Sequence, residues 1–305
     1  MPALAASTLS YFQAIVIGLL QGVTELFPIS SLGHSVLVPE LLGWDSLVQG
    51  QAASESFYLA FLVGLHVATA IALLIFFRSD WKRIILGFIS SVRNRRIETS
   101  AERMAWLLIV GTIPVGIVGL AFEHSLRTIF AKPIAASIFL FVNGLILLLG
   151  ERLRRRSEVR ILAAEHAHHD DPDGLVGRDL ESLSLREGLL IGSAQCLALF
   201  AGISRSGVTM VAGLMRGLDH EDAAHLSFLF ATPIILAAGV YKLPDLLGPN
   251  GDQVRGQVLV GSIVAGLAAY ASVKFLTRFF KTRTLTPFAI YCLVVGAAMT
   301  VGQLS

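Results

Sequence analysis

Six stretches of this chain are apolar over close to the length that a bilayer demands: residues 57–77, 105–122, 133–150, 226–242, 256–273 and 287–304. A helix crossing a hydrocarbon core of about 30 Å needs about 20 apolar residues, and roughly 17 suffice when it packs well. Composition agrees with that reading. Of 305 residues, 54% are hydrophobic and 15% charged, and the mean hydropathy is +0.69. Soluble domains carry about 25% charged residues, so this chain lacks the polar groups to coat a soluble surface. A cytosolic enzyme, a nucleic-acid binder and a disordered chain are thereby excluded. The net charge of +2 is too small to signal a polyanion partner. Cys196 and Cys292 lie inside apolar runs without disulfide or metal spacing and read as packing residues. The opening MPALAAS has no basic n-region, so no cleaved signal peptide is expected.

Two further apolar runs are too short to cross. Residues 10–20 stop at Gln21 and Glu25, and residues 189–203 stop at Ser204, Arg205 and Ser206. Each resumes after a polar, Gly-containing break, at 36–42 and 208–214. A short helix, a polar turn and a second short helix describe a re-entrant hairpin, at about 10–43 and again at about 187–216. Irregular backbone at membrane depth survives only where protein or a wet cavity surrounds it. The expected fold is therefore an all-α integral membrane protein with six full transmembrane helices and two re-entrant helical hairpins, in a single membrane domain over 1–305.

Eighteen of the 24 basic residues fall in three segments, 78–103, 151–186 and 274–283. Positive charge marks the cytoplasmic side, so these segments are assigned inside. The first hairpin then enters from outside and the second from inside. Segment 151–186 is the long polar linker between a first repeat at 9–150 and a second at 187–305. Sliding the second half on the first by 174 residues aligns the hairpins without a gap. Identical pairs include Ile17/Ile191, Gly18/Gly192, Gln21/Gln195, Ser30/Ser204, Gly33/Gly207 and Gly43/Gly217. Repeats of opposite entry form an inverted-topology pair, with the functional site expected where they meet.

The chemistry is concentrated in the two hairpins. The first reads QGVTELFPISSLGHSVLVPELLGW, with Gln21 and Glu25 on one helical face and Ser30, Ser31, Gly33 and His34 following Pro28. The second reads QCLALFAGISRSGVT, where Gly202 and Gly207 bracket Ser204, Arg205 and Ser206, with Thr209 just beyond. Ionisable groups at membrane depth are expensive and read as functional. Arg and hydroxyls beside a Gly-freed backbone suit phosphate oxygens. Ser or His can attack phosphorus, and Glu can act as base or hold a cation. His66, a lone imidazole in span 57–77, reads as a packed core residue. The linker tract His166, His168, His169, Asp170, Asp171 and Asp173 reads as a solvated loop.

Both hairpins closely resemble those of the bacterial undecaprenyl-pyrophosphate phosphatases of the bacitracin-resistance (BacA/UppP) family. The first matches that family's (E/Q)xxxE and PxSSxGH motifs, the second its PGxSRSxxT motif. The resemblance covers essentially the whole chain. It implies hydrolysis of a polyprenyl pyrophosphate to its monophosphate, recycling the lipid carrier of cell-wall synthesis in the bacterial cytoplasmic membrane. By position, the implied site residues are Gln21, Glu25, Ser30, Ser31, His34, Ser204, Arg205, Ser206 and Thr209. Two departures stand out. Gln21 replaces a second Glu found in better-known members, which weakens a two-carboxylate metal site, and Ala201 replaces the proline of the second motif.

The mechanistic expectation is phosphoryl transfer by positioning and charge neutralisation. Arg205 clamps the pyrophosphate, with hydrogen bonds from Ser204, Ser206 and Thr209. Ser31 is the preferred nucleophile and His34 its base; attack by His34, or by a water it activates, stays open. Glu25, with Gln21 as a weak second ligand, would bind Mg²⁺ or Ca²⁺, or Glu25 would orient His34. The partners implied are the lipid and the bilayer, and a homodimer is compatible with the sequence. The rival readings are a transporter or flippase of a phosphorylated lipid and a non-catalytic lipid-binding scaffold. Transport needs an anion site but no nucleophile.

Overall fold

A computed structural model describes residues 9–44, 57–130, 132–165, 178–242 and 254–304, with isolated positions at Leu47, Pro244 and Gly248. Helix α1, Tyr11–Thr24, opens where Ser10 closes a capping box with Gln13. After a turn through Pro28, α2, Ser31–Leu41, opens at its N-cap Ser30. Helix α3, Phe57–Phe76, breaks at Phe77 into α4, Arg78–Asn94, with a bend of 88°. Two long helices follow, α5 at Ser100–Phe130 and α6 at Pro133–Glu165. A 3-10 turn at Leu180–Ser182 leads to α7, Leu185–Ser193, where Ser184 and Glu187 form a second capping box. The chain then tightens into a 3-10 segment, Ala194–Leu199, before α8, Arg205–Leu214. It ends with α9 at His220–Tyr241, α10 at Arg255–Phe279 and α11 at Thr286–Leu304.

Among the described residues, five stretches are long and apolar enough to cross a membrane: Ser100–Phe122, Pro133–Arg156, His220–Tyr241, Arg255–Phe279 and Thr286–Leu304. The bent α3–α4 pair makes a sixth if counted as one span. The protein is thus an all-helical, multi-pass membrane protein. The burial pattern suits lipid as the solvent. Leu19, Ile75, Ile117, Leu267 and Val294 point outward, each at least half exposed, while Gln21, Thr69, Ser137, Asn143 and Gln195 are buried.

Three segments differ from the sequence expectation. The linker 151–186 is not irregular from its start, because α6 continues to Glu165; its His/Asp tract lies outside the described residues. The basic segment 78–103 is mostly helix α4. That helix turns Ile84, Gly87 and Ser91 inward and leaves Ile85, Leu86, Ile89 and Val92 about half exposed. Apolar residues among Arg and Lys make an amphipathic helix suited to a membrane interface, a pattern hidden by counting charges alone. The single helix expected over 189–203 is divided into α7 and the 3-10 segment.

Residues 174 apart do the same work. Ser10 and Ser184 each close a capping box, and Ser30 and Ser204 each cap the second helix of their hairpin. Gly43 and Gly217 both turn with positive φ, at 68° and 87°. Gly18 on α1 packs against Gly261 of α10, and Gly192 on α7 packs against Gly111 of α5. Each hairpin therefore leans on a span from the other half of the chain.

The hairpin tips dock on each other and on α6. Asn143 of α6 is fully buried; its Nδ2 donates to Pro28 O at 3.0 Å and its Oδ1 accepts from Ser204 N at 3.0 Å. Ser206 Oγ donates to Phe27 O at 3.1 Å. Gly202 has φ 111°, and a Cβ on Gly33 would stand only 2.9 Å from its Cα. The tips approach this closely because both contact residues lack side chains. Replacing Asn143 with Leu would strand the Pro28 carbonyl and the Ser204 amide together. Each orphaned buried group costs about 1–3 kcal/mol. The expected outcome for N143L is a clearly lowered thermal midpoint in detergent, read by loss of monodispersity on heating.

Candidate functional site

Two helices begin at one place. The first-turn residues Ser31 and Leu32 of α2 and Arg205 of α8, with the N-caps Ser30 and Ser204, all line one cavity of about 380 Å³. The leading N–H groups of a helix lack intrahelical partners, and the helix dipole places partial positive charge there. Two such ends facing one cavity, beside a guanidinium, are chemically suited to an anion. Ser30 holds this geometry. Its backbone takes the left-handed φ of 71°, and its Oγ accepts from Gly33 N and from Gly202 N, both at 3.2 Å. Those two bonds offset a strained conformation costing about 1–3 kcal/mol.

Glu25 is the centre of the polar cluster. Its Oε1 accepts from Arg205 Nη2 at 3.0 Å. Its Oε2 accepts from the Ser31 hydroxyl and from Gln21 Nε2, the latter at 3.2 Å. His66 Nε2 stands 3.5 Å from the same oxygen. Arg205 also donates to Ser227 O at 3.3 Å. Arg has five N–H donors, so these two contacts leave others for the cavity. Burying a carboxylate is tolerable here because a cation and several donors answer it. Beyond the cluster the wall turns apolar, with Leu62, Val63, Val115, Ile234, Ile235 and Ala238, and Lys242 at the end of α9 also lines the cavity.

The structure brings together Gln21, Glu25, Ser31 and Arg205 from the sequence-derived set, with Ser30 and Ser204 lining the same cavity. It turns the others elsewhere. His34 was expected to serve Ser31, but its Nδ1 pairs with Ser30 O at 2.7 Å and its Nε2 with Tyr291 OH at 2.8 Å. Bonding to the carbonyl four residues back and stacking on Tyr291 pin the ring toward α11. The partner of the Ser31 hydroxyl is Glu25. Ser206 latches onto Phe27 O, and Thr209 Oγ1 donates to Arg205 O at 2.7 Å. Both hydroxyls serve backbone within the docked hairpins. His66, expected as packing, lines the cavity beside Glu25. Its sequence signal was an imidazole in an otherwise apolar span, which marks the residue without saying what it faces.

The fold and this cavity define a polytopic membrane protein with a buried Glu25–Arg205–Ser31 cluster at two converging helix N-termini. The profile of the family described as bacitracin resistance protein BacA matches residues 14–298. A protein of Mycolicibacterium paratuberculosis named undecaprenyl-diphosphatase is 59% identical, with 96% of this chain and 97% of the relative covered. Undecaprenyl-diphosphatase 2 of Frankia alni is 56% identical over 96% of this chain and 98% of the relative. Undecaprenyl-diphosphatase 2 of Chromobacterium violaceum is 43% identical over 93% and 95%. The chain belongs to the BacA family.

The cation expected on Glu25 does not fit the donor set the protein offers. Among the described residues no group of three or more His, Cys, Asp or Glu is placed to hold a metal ion. Both Glu25 oxygens already accept hydrogen bonds, one from a guanidinium, and Gln21 turns its amide nitrogen toward Glu25. A hard dication takes six or more oxygens and would stand beside the Arg205 charge with one carboxylate. Titrating the purified, substrate-free protein with Mg²⁺ or Ca²⁺ by calorimetry is expected to show no saturable site tighter than about 1 mM.

Proposed function

We propose that this protein hydrolyses undecaprenyl pyrophosphate to the monophosphate and phosphate, recycling the lipid carrier of cell-wall synthesis. The observation that carries the reading is the Ser31 hydroxyl donating to Glu25 while Arg205 holds the other carboxylate oxygen, at two converging helix N-termini. The names of the relatives at 43–59% identity support the substrate. The apolar wall supports a lipid over a soluble pyrophosphate.

Chemistry proceeds in two displacements. Ser31 Oγ attacks the terminal phosphorus while Glu25 Oε2 takes its proton; the bridging P–O bond breaks and its electron pair stays on the lipid monophosphate. Protonation neutralises Glu25, so Arg205 is released from its carboxylate partner as charge builds on the phosphoryl oxygens. Water then attacks the phosphoserine, and Ser31 leaves with its proton restored through Glu25. In this reading Glu25, not His34, is the base.

The same reading extends to topology. The two hairpins are re-entrant, the spans number six, and the halves form an inverted repeat in the bacterial cytoplasmic membrane with the cavity open outward. The 174-residue correspondence of caps, turns and glycine contacts supports the repeat. The basic segments support the orientation.

The decisive measurement is phosphate release from undecaprenyl pyrophosphate by the detergent-purified protein, with no membrane gradient. A flippase or scaffold would release none. Arg205→Lys should lose about 100-fold in turnover although its charge is kept, because a point charge cannot replace a planar fork of donors. Wild-type turnover in a folded Lys variant would remove Arg205 from the mechanism. Single cysteines introduced at 151–186 or 274–283 should resist impermeant thiol reagents on intact cells, whereas those at 123–132 should react. Labelling of the linker from outside would invert the proposed orientation.

A further inference from the structure

The polar end of the cavity and its apolar wall meet at His66. It lies on α3 one helical turn after Leu62, and both side chains line the cavity. Its Nδ1 pairs with Leu62 O at 2.8 Å. A carbonyl can only accept, so Nδ1 carries a hydrogen and Nε2 is the corner of the ring turned to Glu25. That corner stands 3.5 Å from Glu25 Oε2, the oxygen that receives the Ser31 hydroxyl. A carboxylate oxygen facing Nε2 calls for a hydrogen there too, and the ring then donates from both nitrogens. Of the other charged groups around the cavity, Arg205 pairs with the other Glu25 oxygen, and Lys242 also lines the wall.

A lipid pyrophosphate has one orientation that satisfies both ends of this cavity. Its terminal phosphate meets Ser31, Arg205 and the two helix N-termini, and its chain runs along Leu62, Val63, Ile235 and Ala238. The inner phosphate joins these ends and must pass His66. We propose that His66 Nε2–H binds this inner phosphate, the group that departs as the lipid monophosphate. The inference rests on the reading of a lipid pyrophosphate as substrate. As the bridging bond breaks, its electron pair settles on that phosphate, and a hydrogen bond there strengthens toward the transition state. Nε2 keeps its hydrogen throughout; the proton leaving Ser31 goes to Glu25.

Phosphate release from undecaprenyl pyrophosphate is compared for wild type, His66→Leu and His66→Gln, each checked for monodispersity, alongside binding of undecaprenyl monophosphate by calorimetry. H66L should lose about 100-fold in kcat with KM changed less than about threefold, and should bind the monophosphate about tenfold more weakly. H66Q should keep at least about a tenth of wild-type kcat, because its carboxamide N–H still donates. Wild-type kcat and wild-type monophosphate binding in H66L would overturn the proposal, as would a folded H66Q as impaired as H66L. If the wild type releases no phosphate, the phosphatase reading fails, and monophosphate binding still decides this inference. Weaker binding by H66L or, where H66L does not fold, unchanged binding by H66Q supports it. Equal binding by wild type and H66L, or lost binding by H66Q, overturns it.

Discussion

The rest of the structure depends on how two interrupted helices satisfy their backbone without water. A buried turn strands amides and carbonyls, each costly if left alone. Here each hairpin answers the other. Ser30 accepts from Gly33 within its own hairpin and from Gly202 in the second, and Phe27 O accepts from Ser206. Asn143 serves a carbonyl of one tip and an amide of the other. Ser30 and Ser204, which line the cavity, are therefore among the groups that hold the two hairpins together.

Much of this was legible from the sequence because its two strongest signals are one-dimensional. Apolar length located α5, α6, α9, α10 and α11, and the hairpin breaks fell where polar residues interrupt apolar runs. The 174-residue register located Ser30 and Ser204 as equivalent before either was seen to cap a helix. What escaped was direction. Helix α4 was hidden inside a basic segment because charge counting ignores the 3.6-residue period that sorts Ile84 inward and Ile85 outward.

The two histidines show the same limit at the site. His34 sits in a motif beside Ser31, and nearness in sequence suggested a pair; on α2 it reaches back to Ser30 O and across to Tyr291 instead. His66 is 41 positions after Glu25 in the chain and yet faces it, because α3 packs beside the turn that follows α1. Which helix lies next to which is set by close contacts such as Gly18 on Gly261, and no local spacing encodes them.

The direct pairing of Glu25 with Arg205 also gives the guanidinium an internal counter-ion. The protein behaves as an ion exchanger already loaded with its own carboxylate. An incoming anion must displace that internal counter-ion, so occupancy has a threshold set by ligand charge. A pyrophosphate, with two charged centres, competes well for the guanidinium. A lipid monophosphate competes less well once Glu25 regains its charge, so the returning carboxylate helps to expel the product.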